Sequence, residues 1–296
     1  MTDAYVAELL GGPVCQLGEG PVWDAAAGEL SWVDILGKRL HRAPIDAAGR
    51  LGEVTSTDLP AHVGSAIRTT DPAGWLLGMG PGLSHLAADG RLTELIRLEP
   101  TDDMRMNDAK CDPAGRWWGG SMAYDESQRR GSLFRLDLDG SVHTVLTGVG
   151  VSNGLGWTAD ERTMFFNDSG IETFSIFDFD PDTGAATNRR VLTDGSDGYV
   201  PDGLSVDDAD TVWSVWWDHG SIRRYDRAAT LLATVSVPVR RTSSCCFAGP
   251  GRDLLVITTG RVDQHDHPDA GRLFVARPGV TGPAAVRFAG ALPREE

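Results

Sequence analysis

Four polar residues, Glu19, Asn107, Asn153 and Asp202, stand at one phase of a pattern that repeats along the chain. In each copy a small or polar residue is followed by four residues of mostly strand-like character and a turn residue: Glu19-GPVW-Asp24, Asn107-DAKC-Asp112, Asn153-GLGW-Thr158 and Asp202-GLSV-Asp207. Weaker copies start at Gly64 and Ser244, so that successive starts lie 45, 43, 46, 49 and 42 residues apart. Singly, a Glu, Asn or Asp beside Gly is an ordinary turn or cap residue. Brought together from one phase, Glu19, Asn153 and Asp202 offer only hard oxygen donors and a charge of about −2, which suits one divalent cation with open coordination positions.

A repeat of about 45 residues with several strands per unit predicts a β-propeller, each copy forming one blade. The expected fold is all-β: a six-bladed β-propeller of four-stranded antiparallel sheets, with residues 1–296 as one domain. Asp, Pro and Gly punctuate the units in the manner of tight hairpins, as in DAAAG, DPAG and DLDG. No stretch beyond the N-terminal few residues keeps a helical apolar stripe for three turns. The N-terminal AYVAELL is a strand without a unit, and the expectation is that it pairs with AAVRFAG near the other end to close the ring. The nine Trp residues are expected mainly in blade-to-blade packing, with Trp216 and Trp217 the ones placed to touch a ligand.

The formal net charge of −15, without a basic stripe, argues against nucleic acid. No apolar run is long enough for a membrane span and no signal peptide opens the chain, which leads to the expectation of a cytoplasmic protein without a membrane partner, a monomer or weak homo-oligomer. Cys15, Cys111, Cys245 and Cys246 include no CxxC pair, so burial as small hydrophobes is expected rather than disulfides or a zinc knuckle. His265, Asp266 and His267 read as an exposed loop, and Ser243 and Ser244 have no His and Asp partners at a defined phase. His62 precedes a phase position as either a channel-mouth or a packing residue.

The strings LGEGPVWD, RMNDAKCDPAGRWWGGSM, VSNGLGWTADERTMFFNDSG, VPDGLSVDDADTVW and TSSCCFAGPG resemble, in order and over nearly the whole chain, the SMP-30/gluconolactonase/regucalcin family. The resemblance implies a six-bladed propeller with one divalent metal (Ca, Zn, Mn, Fe(II) or Mg) held by Glu19, Asn153 and Asp202, the residues selected by phase. It implies substrate contacts from Arg105 and Asn107, and from Asp125, which stands where the best-known animal form carries Glu. The expected activity is metal-dependent hydrolysis of a sugar lactone, such as a glucono-, xylono- or arabinono-lactone, to the sugar acid. Asp202 is the expected general base, with hydroxide on the metal as the competing assignment and Asp108 as outer support. The alternatives are a non-catalytic calcium-binding or ligand-sensing propeller and a phosphotriesterase-like hydrolase.

Overall fold

The computed structural model describes residues 2–126, 129–193, 198 and 200–293. Among them, six sheets follow one another along the chain. Their innermost strands are Gly18–Asp24, Val63–Thr69, Met104–Cys111, Ser152–Trp157, Val200–Val206 and Thr242–Ala248, which begin blades one to six in that order. Each of these strands touches the next, and Thr242–Ala248 touches Gly18–Asp24, so the ring is closed around a channel. The innermost strands are buried almost throughout because blades cover both their faces, whereas an outer strand such as Ala185–Thr193 is largely exposed.

Six apolar clusters form the core, one between each pair of neighbouring blades. Between blades three and four, Trp118, Trp157 and Phe179 meet edge to face with ring centroids 5.8–5.9 Å apart, the arrangement that aromatic quadrupoles favour. The Asp that ends an innermost strand organises the following turn. Asp112 Oδ1 accepts from the backbone N–H of Ala114 and Arg116, and Asp207 Oδ1 from those of Ala209 and Thr211. The second oxygen of each accepts an indole N–H at 3.0 Å, from Trp118 and Trp213 respectively. Strand end, turn and inter-blade packing are thereby tied through one carboxylate.

The ring closes through the N-terminal segment, but not with the partner expected. Glu8–Gly11 pairs antiparallel with Leu273–Ala276 and supplies the outer strand of blade six. Asp3–Val6 pairs parallel with Leu231–Ser236 as a fifth strand of blade five. AAVRFAG forms no blade strand. It crosses the end of the channel away from the phase residues, where the Phe288 N–H donates to Arg68 O and the Ala289 N–H to Gly115 O, and the Phe288 side chain is fully buried between blades two and three. The helical content among the described residues is a short 3-10 turn, Ser169–Ile171, and no helix there is long and apolar enough to cross a membrane.

Candidate active site

The phase residues sit where the innermost strands leave regular pairing. The register against the neighbouring strand shifts between Glu19 and Val22, Met106 and Ala109, Ser152 and Leu155, and Pro201 and Leu204. Such bulges turn side chains out of the sheet alternation and aim them elsewhere, here at the channel. The glycine after the phase residue lets the strands come together. A Cβ at Gly154 would lie 2.6 Å from Asp202 O, and one at Gly203 would lie 2.7 Å from the Ser244 Cα. The recurring polar-Gly pair thus joins a channel-facing polar side chain to the close approach that gathers these side chains.

Glu19, Arg105, Asn107, Asn153 and Asp202 line one cavity of about 480 Å³, together with Glu126. All but Glu126 are buried. A chain of hydrogen bonds fixes the amides. Ser169 Oγ donates to Pro201 O and accepts from Asn153 Nδ2 at 2.8 Å, so that Asn153 Oδ1 must be the atom turned the other way. That oxygen accepts from Asn107 Nδ2 at 2.9 Å and keeps a second lone pair. Asn107 Nδ2 also donates to Ser152 O, and Asn107 Oδ1 accepts from Arg105 Nη1 at 2.5 Å. Asn107 therefore positions both Asn153 and Arg105.

The electrostatics of the cavity are those of a site short of positive charge. Burial foremost, and then the Asp108 carboxylate, push the Glu19 carboxyl upward. Burial foremost, followed by Glu19 and Asp108, push Asp202 well above the ordinary range. Asp202 Oδ1 is buried without a hydrogen-bond partner. Arg105 is itself made less basic by burial, which the acidic groups around it, Glu126, Glu19 and Asp202 among them, partly offset. Burying two carboxylates against each other with an orphaned oxygen is costly unless a cation compensates them. With the Asn153 carbonyl oxygen, the donor set is all hard oxygen, and it fits a divalent ion.

Of the residues named from the sequence, Glu19, Arg105, Asn107, Asn153 and Asp202 come together, and Asp125 does not join them. Asp125 is exposed with its charge acting on Arg130, and Glu126, one residue on and at φ 54°, takes the place on the cavity wall. Which of two adjacent acids faces inward depends on the turn, which repeat phase does not specify. Trp217 lines the cavity with Arg241 stacked 4.8 Å over its ring, whereas Trp216 is core. His62 does not line this cavity; its Nδ1 lies 2.9 Å from Tyr124 Oη. Ser243 Oγ donates to Gly18 O and is committed to holding blade six against blade one.

The comparisons with known proteins agree with this architecture. The SMP-30/Gluconolactonase/LRE-like region matches residues 17–261, and the chain belongs to that family. Over 282 residues it is 36% identical to the pentonolactonase XacC of Haloferax volcanii, covering 90% of this chain and 93% of that protein. It is 33% identical to the putative sugar lactone lactonase YvrE of Bacillus subtilis, covering 93% of this chain and 95% of that one. The crystal structure of regucalcin from Agrobacterium tumefaciens, described as a calcium-binding protein, superposes with a TM-score of 0.89 at 26% identity, covering 97% of this chain and 99% of that one.

Proposed function

We propose that this protein is a metal-dependent hydrolase that opens a sugar lactone to the sugar acid, with Glu19, Asn153 and Asp202 holding the cation. The observation that carries the reading is the buried Glu19 and Asp202 pair, with Asp202 Oδ1 lacking a partner, in the same cavity as Arg105 and Asn107. When bound, the divalent cation supplies Lewis-acid polarisation of the lactone carbonyl. Asp202 takes the proton from the attacking water as its oxygen bonds to the carbonyl carbon. The ring C–O bond then breaks, and the departing ring oxygen receives the proton and becomes a hydroxyl. Arg105, steadied by Asn107, donates to the sugar hydroxyls or to the developing oxyanion. The acidic contact to the sugar is assigned to Glu126 rather than Asp125.

The names of the lactonase relatives support this reading, and the calcium-binding regucalcin supports a second, an ion-binding propeller without catalysis. Arg105 separates the two, since an ion site has no use for a guanidinium beside its carboxylates. The test is acid release from glucono-, xylono- and arabinono-lactones, measured above spontaneous opening, before and after verified metal removal. Metal-dependent turnover of at least one lactone is expected. No rate above background from metal-loaded protein leaves the ion-binding reading.

A further inference from the structure

Where the segment that joins blade six to blade one meets blade one, a second cluster of ligand-type side chains comes together. Cys15 lies between Glu8–Gly11 of blade six and Gly18–Asp24 of blade one; Asp34 ends the strand Glu29–Asp34 and His41 lies in Arg39–Pro44, both in blade one. One ligand atom from each lies within 4.8 Å of the others, and all three residues are buried. The Cys15 backbone belongs to the blade-six side, its N–H donating to Gly271 O at 2.8 Å. We propose that Cys15, Asp34 and His41 form a structural site for a soft divalent cation of the zinc class, which staples the seam where the propeller ring closes.

The surroundings are those of a prepared site. Ser56 Oγ lies 2.7 Å from His41 Nδ1 and fixes the ring, which leaves Nε2 for an ion, the division of labour usual for a metal-bound histidine. The Asp34 carboxylate is held by the N–H groups of Gln16, Leu17 and Gly37 at 2.9–3.0 Å. Trp32 covers the imidazole with ring centroids 5.3 Å apart, and its indole N–H faces the Cys15 sulfur. Without an ion the thiol is the weakly held member of the cluster. The thiol has Pro13 O at 4.0 Å and the Trp32 indole beside it, and burial first and Asp34 second push it up to about 12.

A divalent cation resolves both problems at once. Thiolate, carboxylate and neutral imidazole carry about −2 together, so the buried assembly with the ion is neutral, as burial requires. Binding exchanges the Cys15 thiol proton for the cation, and the proton is released to solvent. Sulfur and nitrogen donors select zinc over calcium, in contrast to the all-oxygen set of Glu19, Asn153 and Asp202. Bond lengths of about 2.0–2.3 Å to each donor ask the ligand atoms to close by about 1 Å, leaving one position for water or the Pro13 carbonyl. The site is not legible from spacing because its members sit on three separate strands or loops. Glu19 follows Cys15 in the same segment, so the staple also fixes how the strand bearing Glu19 enters the channel.

Cobalt as a surrogate for zinc reads the thiolate directly, through its ligand-to-metal charge-transfer absorption in the near ultraviolet. Full-length wild-type protein loaded with cobalt should show this band, and so should Glu19→Gln and Asp202→Asn. Cys15→Ser should lack it, zinc should quench it and calcium should not. Elemental analysis should show one equivalent of zinc fewer in Cys15→Ser and in His41→Ala than in wild type, with the oxygen-ligand site still able to take calcium. Chelation should lower the melting temperature of the wild type more than that of His41→Ala. A cobalt-loaded wild type without the band overturns the proposal, as does a band that survives in Cys15→Ser. Should Cys15→Ser fail to fold, the wild-type spectrum and the His41→Ala zinc content decide the matter in the same two directions.

Discussion

The two ends of the channel are built from the same strands and have opposite chemistry. Glu19, Asn107, Asn153 and Asp202 lie in the first halves of their strands and line the 480 Å³ cavity. A few residues further on, the same strands deliver Trp23, Cys111, Trp157 and Val206 to a second cavity of about 410 Å³, across which Pro283–Val286 of the C-terminal segment lies. At about 3.3 Å per residue, four residues separate a polar mouth from a mostly apolar one by about 13 Å. Lys110 lies between these extremes, its Nζ donating to Leu204 O and its charge easing the buried Asp108. The difference lies in what covers the strand ends, a C-terminal strap and apolar side chains at one and polar side chains around a cavity at the other. At the packed end the buried carboxylates of Asp112 and Asp207 are paired with Arg116 and Arg224, whereas at the polar end Asp202 Oδ1 has no hydrogen-bond partner.

Removing a ligand from the polar end should have the largest effect. Glu19→Gln and Asp202→Asn should each lower lactone turnover by at least about 10³-fold with saturating metal, since both the cation and the proton acceptor depend on these groups. The same substitutions should raise the melting temperature of chelator-stripped protein, because the stripped wild type buries two mutually repelling carboxylates. Initial rates and melts on one preparation check both signs. Near-wild-type turnover in either variant would falsify the assignment of chemistry to this end.

A smaller loss is expected from Arg105→Ala. Its hydrogen bonds to Asn107 Oδ1 and Met106 O orient it without involving Asn153 directly. Loss of a charge-assisted contact to substrate should lower kcat/KM about 10–100-fold while bound metal stays unchanged. Steady-state kinetics beside elemental analysis separates the two; loss of metal in this variant would make Arg105 part of the ion site rather than a substrate clamp.

The sequence made the polar end more legible than the apolar one, for a physical reason. Repeat phase converts directly into position around the channel, so Glu19, Asn153 and Asp202 could be grouped before any contact was known. Phase says nothing about residues outside the units. The terminal segments carry no such signal, and the pairing expected between AYVAELL and AAVRFAG gave way to blade-five and blade-six strands at one terminus and a crossing strap at the other. Turn geometry was equally hidden, which is why Glu126 rather than Asp125 reaches the cavity. Cys15 was expected to be buried, and it is; its neighbours Asp34 and His41 emerge only from the way blade one meets the ring closure.

At the apolar end, the comparison predicts a cost in stability without one in chemistry. Trp157 is nearly buried, packed edge to face on Trp118 and Phe179, and far along its strand from Asn153. Trp157→Ala should destabilise the protein by about 3–5 kcal/mol, as other large aromatic deletions from cores do. Turnover per folded molecule should remain that of the wild type. Denaturant midpoints with rates normalised to folded protein test the separation; a parallel fall in turnover would mean the two ends are coupled through the strand.

The smallest effect is expected where the strap is fastened. Arg287 Nη2 donates to Asp24 Oδ2 at 2.6 Å and Oδ1 at 2.8 Å, holding the C-terminal segment against blade one. Burial acts to raise the Asp24 carboxyl, but the Arg287 and Ala27 hydrogen bonds and the charges of Arg287 and Arg68 outweigh it and hold Asp24 below its ordinary 3.8. A depressed folded value means that the pair's stabilisation is complete above 3.8 and is lost as pH falls through the lower folded value. Since Arg287 is 38% exposed, solvent screening limits the contribution to about 1 kcal/mol or less. Protection factors for the Phe288 and Ala289 amides should therefore hold steady from neutral pH to about 5 and decline in stronger acid. In Arg287→Ala they should already be lower at neutral pH and change less with acid, while lactone turnover at neutral pH stays the same. Equal protection in the two proteins would show that Phe288 burial alone holds the strap, and that even the edge of the apolar end owes its attachment to packing rather than to charge.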